Sequence, residues 1–124
     1  MILLLEPFPH ARGLLMRELS TFDRVVAPDL GRVSVSDAIG EGVAGGCRLL
    51  VSACDLPGVS PGAVAKLVRI YLPQVPVLFM TRASAADIPP LDGALSVPYE
   101  ELSDLLGPTV SVLLEESGEG LVLR

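Results

Sequence analysis

The sequence predicts an α/β fold, a three-layer sandwich with a five-stranded, mostly parallel sheet of order 2-1-3-4-5. Three observations predict it. Short apolar runs such as Ile2–Leu5 and Val75–Met80 read as strands covered on both faces. Between such runs lie segments with helical apolar spacing, strongest at Val64, Leu67, Val68, Tyr71 and Leu72. Strands that alternate with helices imply parallel neighbours joined by right-handed crossovers. In that strand order the ligand crevice lies at the carboxyl ends of strands one and three, here Glu6 and Ala53.

Each element has its own justification. Pro7 and Pro9 break the first strand, and Ala11, Leu14, Leu15 and Leu19 make residues 10–20 an amphipathic helix. Phe22–Ala27, with Val25 and Val26, reads as the second strand. Pro28 to Ser36 is a loop, with Ser36 as N-cap of a short helix from Asp37. Gly40 and Gly42 weaken that helix and Gly45-Gly46 ends it. Arg48–Ala53 is the third strand. Ser60 caps the next helix, with Pro61 at its first position and Pro73 beyond its end. Val75–Met80 and Ala94–Val97 are the last two strands. The stretch between them, TRASAADIPPLDG, has no apolar stripe, and Pro89-Pro90 would stop a helix. The fourth helix is therefore expected to be short or absent. Leu102, Leu105, Leu106, Val110 and Leu113 mark a final helix that Gly107-Pro108 should kink or split. Residues 1–116 form one domain in this reading, and 117–124 a C-terminal tail.

Composition narrows the function. At 124 residues the chain is about one domain in size. Fifteen acids against nine Lys and Arg disfavour a nucleic-acid surface, where phosphate contacts need clustered cations. No apolar run approaches the roughly 18 residues that cross a bilayer, and the opening MILLLEP lacks the layout of a signal peptide. The expectation is a cytoplasmic protein that binds neither nucleic acid nor membrane. Cys47 and Cys54, if on one strand, lie on the order of 20 Å apart at about 3.3 Å per residue. That is too far for a disulfide, so both are expected to be reduced thiols.

Four short motifs resemble the receiver domains of two-component response regulators, which have a flavodoxin-like fold. Receivers begin with a strand ending in two acids and a following Pro; LLLEPFP places Glu6 at the first acid, Pro7 at the second and Pro9 at the proline. Their third strand ends in the phosphorylated Asp, followed by Pro-Gly; ACDLPG places Ala53 at the Asp, with Pro57-Gly58 after it. Their fourth strand ends in Thr or Ser, matched by Thr81. Their fifth ends in Lys-Pro with a cis bond and often an aromatic; SVPYEEL places Val97 at the Lys, then Pro98 and Tyr99.

The same correspondence removes the activity the resemblance implies. Phosphoryl transfer needs a carboxylate nucleophile, acids to hold Mg²⁺, a cation and a hydroxyl. Ala53 supplies no nucleophile, Val97 no cation, and Pro7 no carboxylate. Glu6 and Thr81 remain, and one Glu is a poor Mg²⁺ site. The chain is therefore expected to be no enzyme and to need no cofactor or metal. The degenerate pocket comprises Glu6, Pro7, Ala53, Asp55, Thr81, Val97 and Pro98. Such a pseudo-receiver would act as a phosphorylation-independent interaction module, binding another protein or itself, possible homodimer included. Its candidate surface is the exposed side of Thr81–Pro98, where the position of the receivers' switching aromatic falls at Ala94. The alternative is a metal- or small-molecule-binding domain, or an enzyme, that reuses the crevice through Glu6, His10, Cys54, Asp55, Thr81 and Arg82. Cys54 lacks an obvious group to lower its pKa, and a turn residue such as Asp55 more often bonds its own backbone.

Overall fold

The computed structural model describes residues 1–54, 56, 58–81 and 94–122, for residues 61 and 116–122 by the backbone alone. The elements run β1 (Ile2–Leu5), α1 (Pro9–Leu19), β2 (Val25–Val26), α2 (Val35–Gly45), β3 (Leu49–Ala53), α3 (Pro61–Tyr71), β4 (Val77–Thr81), β5 (Ala94–Pro98), a 3₁₀ turn (Tyr99–Glu101) and α4 (Leu102–Val122). The sheet has five strands in the order β2-β1-β3-β4-β5, and every pair is parallel. Every residue of β1, β3 and β4 is buried, as expected of strands covered on both faces. Among the described residues there are four helices, and none is long and apolar enough to cross a membrane. The expected short or absent helix between β4 and β5 falls on residues 82–93, outside the described ones.

The structure moves several boundaries. β2 is two residues, not six. The amides of Phe22 and Asp23 donate back to Leu19 O, so the start of the expected strand is held in a turn that closes α1. The N-cap of α2 is Ser34 rather than Ser36: its Oγ accepts from the Asp37 amide at 3.0 Å, and its backbone is extended. Ser34-x-x-Asp37 has capping-box spacing, with an acid in the first turn where the helix dipole favours it. β4 starts at Val77, since Pro76 has no N–H to give the ladder, though its carbonyl accepts from Leu50. α4 is not split at Gly107-Pro108. Pro108 is exposed, so the carbonyl it leaves unpaired is not stranded in the core. Leu106, Val110 and Leu113 are buried on both sides of it. Their burial offsets the roughly 3 kcal/mol a helical proline costs. α4 continues to Val122.

Other expectations hold. Ser60 caps α3 by accepting from the Ala63 amide at 3.2 Å, with Pro61 in the first turn. Gly46 ends α2 in the left-handed region at φ 74°. Neither Cys47 nor Cys54 is in a disulfide, and burial pushes the Cys47 thiol pKa up. At the start of the sheet the Met1 ammonium and Arg48 both reach Asp23, at 2.9 and 3.3 Å. The hydrogen bond from the ammonium is the chief reason the Asp23 carboxyl lies below its ordinary pKa.

Glycine lets α2 approach the sheet. A Cβ on Gly42 would lie 2.8 Å from Cδ2 of Leu3, itself fully buried in β1. A Cβ on Gly40 would meet nothing within 4 Å. Two neighbouring substitutions should therefore act in opposite directions. Gly40→Ala removes backbone entropy from the unfolded chain and is expected to stabilise by about 0.5–1 kcal/mol. Gly42→Ala gains the same but forces Leu3 out of its packed position, for a net loss of about 1 kcal/mol. Urea unfolding of both variants reads the sign directly; equal shifts would mean that α2 does not rest on β1 this closely.

Candidate functional site

The candidate site lies where β1, β3, β4 and β5 end. β1 and β3 pair Leu5 with Ser52, so Glu6 and Ala53 follow as neighbours one step further along. β3 and β4 pair Ala53 with Met80, and β4 and β5 pair Thr81 with Pro98. The register thus gathers Glu6, Ala53, Thr81, Val97 and Pro98 at one end of the sheet. Pro7, half-buried, leads from Glu6 to Phe8, the N-cap of α1, and Pro9 opens the helix. Asp55, Pro57 and Arg82 lie outside the described residues.

The pocket is mostly buried and apolar. Ala53 and Val97 are 2% and 3% exposed. Glu6 is fully buried, and its two oxygens are engaged. Oε1 accepts from the Tyr99 hydroxyl at 2.6 Å, and Oε2 accepts from the Phe8 amide at a long 3.4 Å. A buried carboxylate needs such donors, because leaving it bare costs far more than the hydrogen bonds contribute. Thr81 is the opposite case: its Oγ1 is buried with no hydrogen-bond partner among the described residues. Ser52, beside Ala53 in β3, is buried and turns its Oγ onto the Ala53 carbonyl at 2.9 Å. Nothing in this set offers a nucleophile beside a cation.

The described residues after β3 form a tight bend. Leu56 and Val59 form an antiparallel bridge, the Val59 amide donates to Leu56 O at 3.3 Å, and Gly58 has φ 69°. Glycine enters that region without the steric cost of a side chain, which explains its place in this turn. The implied cis bond before Pro98 is not found. No described peptide bond is cis, and Pro98 stays in register with Thr81 before the chain turns into the 3₁₀ segment.

The groups of the alternative crevice reading are only partly assembled. His10 is exposed on the first turn of α1. Cys54 is half-buried, with its amide on Met80 O. Among the described residues no three His, Cys, Asp or Glu side chains come together as a metal site.

Sequence reasoning missed two features. Tyr99 stood as the aromatic after Pro98, but its role as donor to Glu6 did not emerge. The signal was available: a Glu at the end of a buried strand needs a donor, and the only neighbouring segment with a phenol begins at the end of β5. The second feature is an open groove of about 410 Å³ between α1 and α4, lined by Leu14 and Leu15 on one side and by Tyr99, Leu102 and Leu106 on the other. The Tyr99 side chain therefore reaches from this groove to the pocket.

No family model and no curated relative matches the chain. Solved structures do. The signal receiver domain of a Luxo repressor protein from Vibrio parahaemolyticus is similar at a TM-score of 0.80 and 16% identity, covering 99% of this chain and 95% of that one. The receiver domain of the hybrid histidine kinase CckA is similar at a TM-score of 0.71 and 23% identity, covering 91% and 97%. The response regulator TrrA from Thermotoga maritima, in complex with Mg²⁺ and a beryllium fluoride, gives the same figures. The five-stranded sheet, its strand order, the helices on either side and these structures together establish that the chain has the fold of the response-regulator receiver domains.

Proposed function

We propose that the chain is a pseudo-receiver: a signal-transduction module of receiver fold that works without phosphorylation, by binding another protein. The observation that carries this is the pocket itself. Ala53, where the resemblance expects the phosphoacceptor, is buried and inert, and Glu6, at the place of the first acid, is already bonded to Tyr99. Val97 fills the place of the cation with an apolar side chain. With nucleophile and cation both missing, neither positioning nor charge stabilisation of a phosphoryl group remains. The receiver-like unit spans residues 1–116, with 117–124 as the C-terminal tail, of which residues up to Val122 are the last turns of α4.

Binding falls to the side of the sheet where β5 ends. Leu95 and Ser96 of β5 are exposed, and α4, which packs beside β5, exposes Leu105 and Val112. Large exposed apolar side chains on neighbouring elements are a feature of protein-binding surfaces. The test treats the protein with acetyl phosphate, or beryllofluoride, in the presence of Mg²⁺. Intact mass and the amide NMR spectrum are expected to stay unchanged. A covalent phosphoryl adduct, or shifts centred on the strand ends, would overturn the proposal.

A further inference from the structure

We propose that the outer face of α2 and α3 is an interface for a second copy of this chain, paired about a two-fold axis that runs along the two helices. α2 and α3 pack side by side, and α1 and α4 lie together around a groove of their own. The inference is therefore independent of what binds at β5 and α4.

The face is acidic along one margin, apolar in the middle and basic along the other. α2 carries Asp37 and Glu41 and no Lys or Arg, whereas α3 carries Lys66 and Arg69 and no Asp or Glu. All four are exposed, and none makes an ion pair with another described residue. Arg32, in the loop before α2, is already paired with Asp29. Glu41 and Lys66 stand mid-helix, beyond the reach of the helix dipole, so an end effect does not account for the sorting. A helix turns about 100° per residue, which fixes the flanks. Beside the buried stripe of α2, Val43 lies on one flank and Glu41 on the other. Beside the buried stripe of α3, Leu67 and Tyr71 lie on one flank and Lys66 and Arg69 on the other. Right-handed crossovers between parallel strands turn the Val43 flank towards α3 and the Leu67–Tyr71 flank towards α2. The apolar flanks meet, and the charged flanks form the two margins. Ile70, at the crest of α3, is 69% exposed, and Val43 and Tyr71 are about half-exposed.

Such a face complements itself. A two-fold axis along the helices sets the α2 margin of each copy against the α3 margin of its partner, twice, as an isologous contact requires. The rotation keeps each residue at its own depth along the helix. Both helices have 11 residues; Glu41 is the seventh of α2, and Lys66 and Arg69 are the sixth and ninth of α3. Unlike charges therefore meet at similar depth. Val43 and Ile70, ninth and tenth in their helices, cover one another in the same way. A net charge of −6 on each copy opposes association in general, so only an orientation that pairs unlike margins is favoured.

Sedimentation velocity over a range of concentrations, at low and high salt, tests the interface. Glu41→Lys puts a cation in the acidic margin, and Lys66→Glu with Arg69→Glu makes both margins acidic. Each protein is expected to self-associate roughly tenfold more weakly than the parent, and an equimolar mixture is expected to recover a dimer that weakens as salt rises. Ile70→Asp, which places an unpaired charge at the centre of the contact, is expected to give a monomer. Leu105→Asp, on α4, is expected to leave the dimer intact. All substituted positions are exposed, and unchanged circular dichroism spectra establish that each protein is folded. A parent that stays monomeric throughout the range overturns the proposal. So does a dimer that survives Ile70→Asp, a dimer that Leu105→Asp abolishes, or a mixture no tighter than its components.

Discussion

Ala53→Asp, the change that would restore a carboxylate at the end of β3, is expected to destabilise the protein rather than reactivate it. Position 53 is 2% exposed, and its neighbours one strand away are Glu6 on one side and Met80 on the other. Adjacent strands lie about 4.8 Å apart, so the new carboxylate would share a dry pocket with an acid whose oxygens are already committed. Val97 offers no compensating charge. An uncompensated buried charge costs about 3 kcal/mol in practice, a large share of the stability of a domain this size. The pH dependence has a definite sign. Burial and a like charge raise the pKa of the new group above its unfolded value, so the penalty is small below about pH 4 and grows as pH rises through the unfolded pKa. Urea unfolding at pH 4 and pH 7 measures this. A variant as stable as the parent at pH 7, or one that takes up a phosphoryl group from acetyl phosphate, would show that the pocket is wetter and better equipped than its side chains indicate.

Tyr99→Phe should be nearly as damaging, for a subtler reason. It deletes one oxygen from a partly buried ring. The loss leaves Oε1 of Glu6 without its 2.6 Å donor, while Oε2 keeps only the long contact to Phe8. A buried acceptor stripped of its donor costs about 1–3 kcal/mol. If that is the cause, removing the acceptor as well should return much of the loss. Glu6→Leu with Tyr99→Phe is expected to be more stable than the sum of the two single changes by about 1–2 kcal/mol, the coupling typical of residues in direct contact. Additive single effects would mean that the phenol and the carboxylate do not depend on one another.

Much of the architecture was legible in the sequence because burial on both faces leaves a plain mark. β1 is an unbroken apolar run, β3 and β4 are apolar apart from Ser52 and Thr81, and the fully covered strands of the sheet are those three. The α3 boundaries followed from Ser60, Pro61 and Pro73, each acting on the backbone in one specific way. Prediction failed where tertiary packing outweighed a local rule. Pro108 should end a helix, but Leu106, Val110 and Leu113 anchor α4 on both sides of it. Ser36 and Ser34 are both competent caps, and only the turn that places Asp37 decides between them. β2 shrank because its first residues bond back to α1, a contact that periodicity cannot express. In the site, Ala53 and Val97 could be read residue by residue, since an Ala or a Val carries neither a nucleophile nor a charge wherever it sits. The Glu6–Tyr99 bond spans 93 positions and depends on the fold being complete.

The brevity of β2 has a consequence for how the molecule behaves in a crowd. An outermost strand with bare amides and carbonyls is a template on which foreign chains can grow a ladder. Here that rim holds only Val25 and Val26, with Pro28 two residues on, whose nitrogen has no hydrogen to offer. So short a stretch cannot seed an extended cross-strand stack, and this flank of the protein is guarded against amyloid-like accretion.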